Sequence, residues 1–233
     1  MQYEVKNSPL PVLIVKLNQG EQIECQQGAM SWMTPTMEMQ TGLGNGGASG
    51  VLGALGKMAK SAVTGESIFR NTYTAAGGDG EIAFASTFPG DIISFDTTEK
   101  GIVAQKSAYL ANTKGVEMNI FFQKKFGAGL FGGEGFIMQK FSGKGTVFLE
   151  INGGIVEYDL GAGESMLIDT GYLAAMEDTC SVDIEKVKGL GNIIAGGEGL
   201  FNTKVTGPGK IWLQTMPANV LASSVAPYIA VGK

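Results

Sequence analysis

Gly133-Glu134-Gly135-Phe136-Ile137-Met138-Gln139-Lys140-Phe141-Ser142-Gly143-Lys144-Gly145-Thr146-Val147-Phe148-Leu149 is the stretch from which the rest of the chain can be read. Two apolar runs rich in aromatic and β-branched residues flank a Gly-Lys-Gly turn, the composition of strand, turn and strand. The same order returns on either side. Gly65-Glu66-Ser67-Ile68-Phe69 leads through Tyr73-Thr74 and a glycine-bearing turn to Ile82-Ala83-Phe84, and Gly197-Glu198-Gly199-Leu200-Phe201 leads through Val205-Thr206 to Ile211-Trp212-Leu213. The starts lie 68 and 64 residues apart. A period of that kind organises a whole fold, so it is read before any local feature. Each copy is expected to form a hairpin.

A second element alternates with the first: Gly20-Glu21-Gln22-Ile23, Gly90-Asp91-Ile92-Ile93 and Gly163-Glu164-Ser165-Met166, each followed by a further glycine and apolar run. At the N-terminus, Val12-Leu13-Ile14-Val15 aligns with Ile82-Ala83-Phe84-Ala85 at the offset of 70 residues that also relates Gly20 to Gly90. The expectation is an all-β chain, residues 1–233 forming one compact unit of three quasi-equivalent β-sandwich or hairpin repeats about a pseudo-threefold axis. The repeats cover approximately 1–64, 65–132 and 133–196, with 197–233 completing the first. Short helical or glycine-rich connectors precede each Gly-Glu start. The clearest is Val51-Leu52-Gly53-Ala54-Leu55-Gly56-Lys57-Met58-Ala59-Lys60, whose Leu52, Leu55, Met58 and Ala59 share a helical face.

Composition removes several mechanisms. The 233 residues include 36 glycines, two cysteines and no histidine, and carry a formal charge of −5. Without histidine there is no imidazole base, no Ser-His-Asp or Cys-His nucleophile, and no histidine-containing zinc site. Arg70 is the only arginine among 17 basic residues, so the bidentate fork that reads phosphate and base edges is nearly absent, and no nucleic-acid partner is expected. Cys25 and Cys180 are expected to be buried, reduced thiols, which together with the absence of a signal peptide suggests a cytoplasmic protein. The uncharged run Ile211 to Gly232 is long enough to span a bilayer but is interrupted by Pro217, Pro227, Gln214 and Asn219, which argues against a span.

The repeated Gly-Glu starts, clearest in Phe131-Gly132-Gly133-Glu134-Gly135-Phe136 and Gly143-Lys144-Gly145-Thr146-Val147-Phe148-Leu149, resemble the altered-inheritance-of-mitochondria family over nearly the whole chain. That resemblance implies a fold like three fused β modules of the tryptophan RNA-binding attenuation protein. It supplies no catalytic residue to transfer. A mitochondrial member is linked to inner-membrane organisation, whereas this chain opens Met1-Gln2-Tyr3-Glu4-Val5-Lys6 without a targeting leader.

Candidate sites are few. Glu66, Glu134 and Glu198 recur once per repeat, and a threefold axis would gather them into a ring of oxygen ligands; the plainer expectation is a carboxylate in water or bonded to a nearby backbone N–H, as for Glu21, Asp91 and Glu164. Gly42-Leu43-Gly44-Asn45-Gly46-Gly47 matches the dinucleotide fingerprint, but Pro35 interrupts the strand that should precede it and no βαβ unit follows, so it is read as a loop. Phe126, Leu130 and Phe131, beside Phe121, Phe122, Lys124 and Lys125, form a candidate partner-facing connector. Trp32 and Trp212 are read as core anchors. These features point to a non-enzymatic structural or interaction scaffold with an unidentified protein partner, self-association or peripheral membrane contact, and no cofactor. The alternative is a small-ligand or metal-binding module using the axis or a cleft between repeats.

Overall fold

The computed structural model describes residues 1–43, 69–124, 135–186 and 201–229. Among them the chain forms nineteen strands: β1 (Gln2–Lys6), β2 (Val12–Leu17), β3 (Gln22–Gln26), β4 (Trp32–Met33), β5 (Met37–Leu43), β6 (Phe69–Ala75), β7 (Gly80–Ala85), β8 (Gly90–Asp96), β9 (Ile102–Gln105), β10 (Tyr109–Thr113), β11 (Val116–Lys124), β12 (Phe136–Gly143), β13 (Thr146–Asn152), β14 (Ile155–Leu160), β15 (Ser165–Asp169), β16 (Leu173–Glu177), β17 (Ser181–Lys186), β18 (Phe201–Thr206) and β19 (Gly209–Gln214). One α-helix, α1 (Ala218–Val225), follows the last strand. The chain is mainly β, and every strand pairing among the described residues is antiparallel.

The strands form four sheets. Sheet I has the order β1-β2-β7-β4, sheet II β5-β6-β3-β10-β13-β8, sheet III β11-β12-β9-β16-β19-β14, and sheet IV β15-β18-β17. Adding six to each strand number of sheet II reproduces sheet III. Adding twelve to the first three strands of sheet II gives sheet IV, and subtracting six from its last three gives β4-β7-β2 of sheet I. Register irregularities fall at matching places, between Tyr109 and Ala111 in β10 and between Leu173 and Ala175 in β16. Each follows a single 3-10 turn, Lys106–Ala108 or Thr170–Tyr172.

Three apolar cores lie between successive sheets. Leu13, Val15, Ile82 and Phe84 of sheet I meet Ile23, Cys25, Tyr73 and Phe148 of sheet II. Val147, Leu149 and Ile151 of sheet II meet Ala104, Phe141, Ala175 and Trp212 of sheet III. Val103, Met138, Met176 and Ile211 of sheet III meet Ile168 and Val205 of sheet IV. Strand β13 supplies both neighbouring cores, which is why Val147-Phe148-Leu149 is an unbroken apolar run rather than an alternating one. Each fully buried side chain of this size contributes about 1.5–3 kcal/mol by leaving water.

The expected hairpins are not formed. Strand β6 lies in sheet II and β7 in sheet I, β12 in sheet III and β13 in sheet II, β18 in sheet IV and β19 in sheet III. The glycine turn therefore carries the chain across a core into the next sheet. Tyr73 and Phe84, Phe141 and Leu149, and Val205 and Ile211 meet face to face inside the cores. An apolar run separated from another by a turn specifies two strands, but not whether they pair edge to edge or pack face to face. The offset of 70 residues at the N-terminus also misplaces a strand. Val12–Leu17 and Gly80–Ala85 are direct neighbours, Val12 opposite Ala85, and the strand opening at Gly90 lies beside β13 in sheet II as β2 lies beside β7 in sheet I.

Candidate functional site

Glu66, Glu134 and Glu198, the connector residues Phe126, Leu130 and Phe131, the amphipathic stretch 51–60, and positions 44–47 of the glycine-rich run lie outside the described residues. All three carboxylates of the alternate element are described; Asp91 lies in β8 opposite Ile151, and Glu21 and Glu164 brace turns. Glu21 accepts the backbone N–H of Asn18 at 2.8 Å, and Glu164 accepts that of Gly161 at 2.9 Å. The N-terminal ammonium, 2.7 Å from Glu21, and the Asn18 N–H hold its carboxyl below the ordinary carboxylate range. Pro35 falls in the turn between β4 and β5, where its lost donor is harmless.

The densest polar cluster sits where an apolar one would be expected. Arg70 of β6 is almost fully buried and lies 2.6 Å from Glu24 of β3. Asn112 of β10, fully buried, donates to Glu24 at 3.3 Å and to the Thr113 carbonyl at 2.8 Å, while its side-chain oxygen accepts the Tyr109 hydroxyl at 2.5 Å and Arg70 at 3.5 Å. The Tyr109 ring stacks on Phe141 of sheet III at 5.3 Å. Strand register identifies the matching positions in sheet III. Glu24 lies opposite Asn112 as Val103 lies opposite Met176, Arg70 lies opposite Gln26 as Met138 lies opposite Gln105, and Tyr109 precedes its irregularity as Leu173 does. So Arg70, Glu24, Asn112 and Tyr109 occupy the places of Met138, Val103, Met176 and Leu173, which are core residues of sheet III.

This cluster is suited to holding strands in register rather than to moving protons. Burial pushes the Tyr109 hydroxyl far up, keeping it protonated, and burial together with the Glu24 charge pushes the Cys25 thiol up to about 12. Arg70 is neutralised by a carboxylate at contact distance. The sequence signal was a single arginine in a chain otherwise using lysine. It argued against nucleic acid but did not disclose a buried partner, because Glu24 and Asn112 are 46 and 42 residues away.

The surface is uneven. An open cleft of about 540 Å³ lies on sheet I, lined by Lys16, Asn18, Thr34, Asp79 and Glu81 among others. Among the described residues no three Cys, Asp or Glu side chains are gathered to share a metal ion. Trp212 is a core anchor, edge-on to Phe95 and donating its indole N–H to Glu157 at 2.9 Å. Trp32 is not: it is 50% exposed on the edge strand of sheet I. Phe122 packs against the third core, whereas Phe121 is exposed. The uncharged C-terminal run divides in two, with β19 buried in sheet III and the remainder turning at Pro217 into α1, beside Gly171. Val225 and, beyond the helix, Tyr228 at 87% and Ile229 at 61% face outward. Among the described residues no helix is long and apolar enough to cross a membrane.

With this geometry in place, comparison with known proteins is consistent from end to end. Residues 3–216 match the family model described as mitochondrial biogenesis AIM24. An uncharacterised protein of Streptococcus pyogenes serotype M6 is 31% identical over 226 residues, spanning 96% of this chain and 89% of that protein. A crystal structure of a Streptococcus pyogenes protein superposes with a TM-score of 0.78 at 26% identity, covering 98% of this chain and 99% of that one.

Proposed function

The chain belongs to the mitochondrial biogenesis AIM24 family, and from that premise we propose that it is a non-enzymatic interaction scaffold, cytoplasmic, making peripheral contact with a membrane or a membrane-associated protein. Its three quasi-equivalent β units are arranged about a pseudo-threefold axis as in the attenuation-protein fold, and they serve as a rigid platform rather than as walls of an active site. The observation that carries the proposal is the C-terminal segment. Val225, Tyr228 and Ile229 are exposed in a run that carries no charge from Ile211 to Gly232. Aromatic and aliphatic side chains without neighbouring charges insert at the headgroup boundary at little desolvation cost. The connector bearing Phe126, Leu130 and Phe131 would add a second apolar contact. The alternative, a small-ligand or metal-binding role, has the sheet I cleft as its support, lined by Lys16, Asn18 and Thr34 on one side and by Asp79 and Glu81 on the other.

Flotation with liposomes of phosphatidylcholine and phosphatidylglycerol tests the scaffold proposal. The wild-type chain is expected to float, and Tyr228→Ser/Ile229→Ser to lose at least tenfold of the bound fraction with its unfolding midpoint unchanged. A wild-type protein that stays at the bottom of the gradient, or a variant that floats equally well, rejects membrane contact through this segment.

A further inference from the structure

Strand β5 borders the first core. Met37 is buried in that core, and Met39, two positions on and therefore on the same face of the sheet, is 51% exposed. Among the described residues no other methionine is as open: Met1 stands at 37%, Met30 and Met33 pack partly buried against the first core, and Met118, Met138 and Met176 lie inside the second and third. Met39 stands opposite Tyr73 of β6, and Tyr73 opposite Ile23 of β3. The Tyr73 ring is fully buried, and its hydroxyl donates to the Met39 Sδ at 3.2 Å. Burial pushes that hydroxyl above the ordinary tyrosine range, so it stays protonated and remains a donor. One thioether thus joins the solvent to the core.

A thioether sulfur carries two lone pairs, and oxygen added at one gives the opposite configuration at sulfur from oxygen added at the other. Tyr73 occupies one lone pair of Met39, and the solvent side of the residue presents the other. A hydroperoxide is the oxidant that this group meets with balanced chemistry. The open lone pair attacks one oxygen of hydrogen peroxide, an S–O bond forms and the O–O bond breaks, and the proton on the transferred oxygen passes to the departing hydroxide, which leaves as water. Sulfur gives up two electrons and the peroxide takes them. The new oxygen points away from Tyr73, and the sulfur left beside the hydroxyl is a poorer acceptor, so a buried donor loses its partner.

We propose that Met39 is a peroxide-modification site, oxidised to a single sulfoxide epimer because Tyr73 masks one lone pair, and that this oxidation releases Tyr73 and loosens β5 from the first core. Tyr73 acts as a positioning residue. The site goes beyond the scaffold proposal and is independent of membrane contact.

The folded protein is treated with hydrogen peroxide and digested, and oxidised positions are assigned by peptide fragmentation. Two methionine sulfoxide reductases, each specific for one epimer, are then applied separately to the digest. Met39 is expected to oxidise about tenfold faster than the buried Met37 of the same strand, and one reductase to restore about tenfold more of it than the other. Protein oxidised in urea supplies the unselective reference, from which both reductases restore comparable shares. Tyr73→Phe is expected to keep the rapid oxidation of Met39 and to yield both epimers. Hydrogen exchange reads the consequence, with the amides of β5 exchanging faster after peroxide in the unaltered protein and at an unchanged rate in Met39→Leu. An even epimer mixture from the folded chain, selectivity that survives in Tyr73→Phe, or exchange across β5 that oxidation leaves unaltered overturns the proposal.

Discussion

At Arg70 the chain places a guanidinium in a position where sheet III uses Met138, and the energetic consequence depends on its partners. A buried ion pair contributes little net stability because desolvation offsets attraction, but breaking one leaves a charge in a dry interior. Arg70→Ala is therefore expected to cost about 3–5 kcal/mol in urea unfolding. Exchanging the whole cluster for its sheet III counterparts, Arg70→Met, Glu24→Val, Asn112→Met and Tyr109→Leu together, is expected to recover most of that loss. If the fourfold variant were no more stable than Arg70→Ala, the positional match between the two sheets would be wrong. The identity of this cluster was not legible from spacing. Period and apolarity locate strands, whereas a buried polar network is defined by partners that only the sheet brings together.

Among the elements, the crossings between sheets impose the tightest local constraints. Gly143 ends β12 with φ of 99°, and a Cβ there would press into the carbonyl oxygen of Gly115, itself at φ of 99° in the turn entering β11. Thr97 donates to the Gly143 carbonyl at 2.9 Å and so holds the same junction from a third side. Gly163 also has positive φ, 77°, but faces open space. Gly143→Ala is expected to cost at least about 2 kcal/mol and Gly163→Ala about 1 kcal/mol or less, the difference being steric rather than conformational. Equal costs in matched denaturant titrations would remove the close-approach explanation. The strands at 69–75, 136–143 and 201–206 and their followers were readable from the sequence, and the Gly-Lys-Gly turn correctly marked a reversal. Its geometry was misjudged as a hairpin because both arms are apolar on the same face in either arrangement.

For the molecule as a whole, the shared sheets couple the cores. Sheet II is packed on both faces and so is sheet III, so each of these two sheets carries side chains of two cores. Natural probes sit in each: Cys25 in the first, Trp212 in the second and Cys180 in the third. Met176→Ala in the third core removes a fully buried side chain and is expected to cost about 2–5 kcal/mol. Thiol labelling of Cys25 and Cys180 and the fluorescence of Trp212 should shift to the same lower midpoint. Protection of Cys25 persisting after Trp212 has unfolded would show that the sheets separate in stages.

Residue order by itself determined that the chain is mainly β, where most core strands run, and which family it joins, because strand propensity, apolar runs and glycine turns are local properties repeated along the chain. It also excluded histidine-based chemistry outright. Tertiary structure alone decided that successive strands enter different sheets, that Arg70 meets Glu24 and Asn112 in the interior, and that Trp32 is exposed while Trp212 is buried. Those outcomes depend on which strands become neighbours across 40 residues and more. Hydrogen bonding along an edge and packing across a face draw on the same alternating pattern, and only the assembled sheets distinguish them.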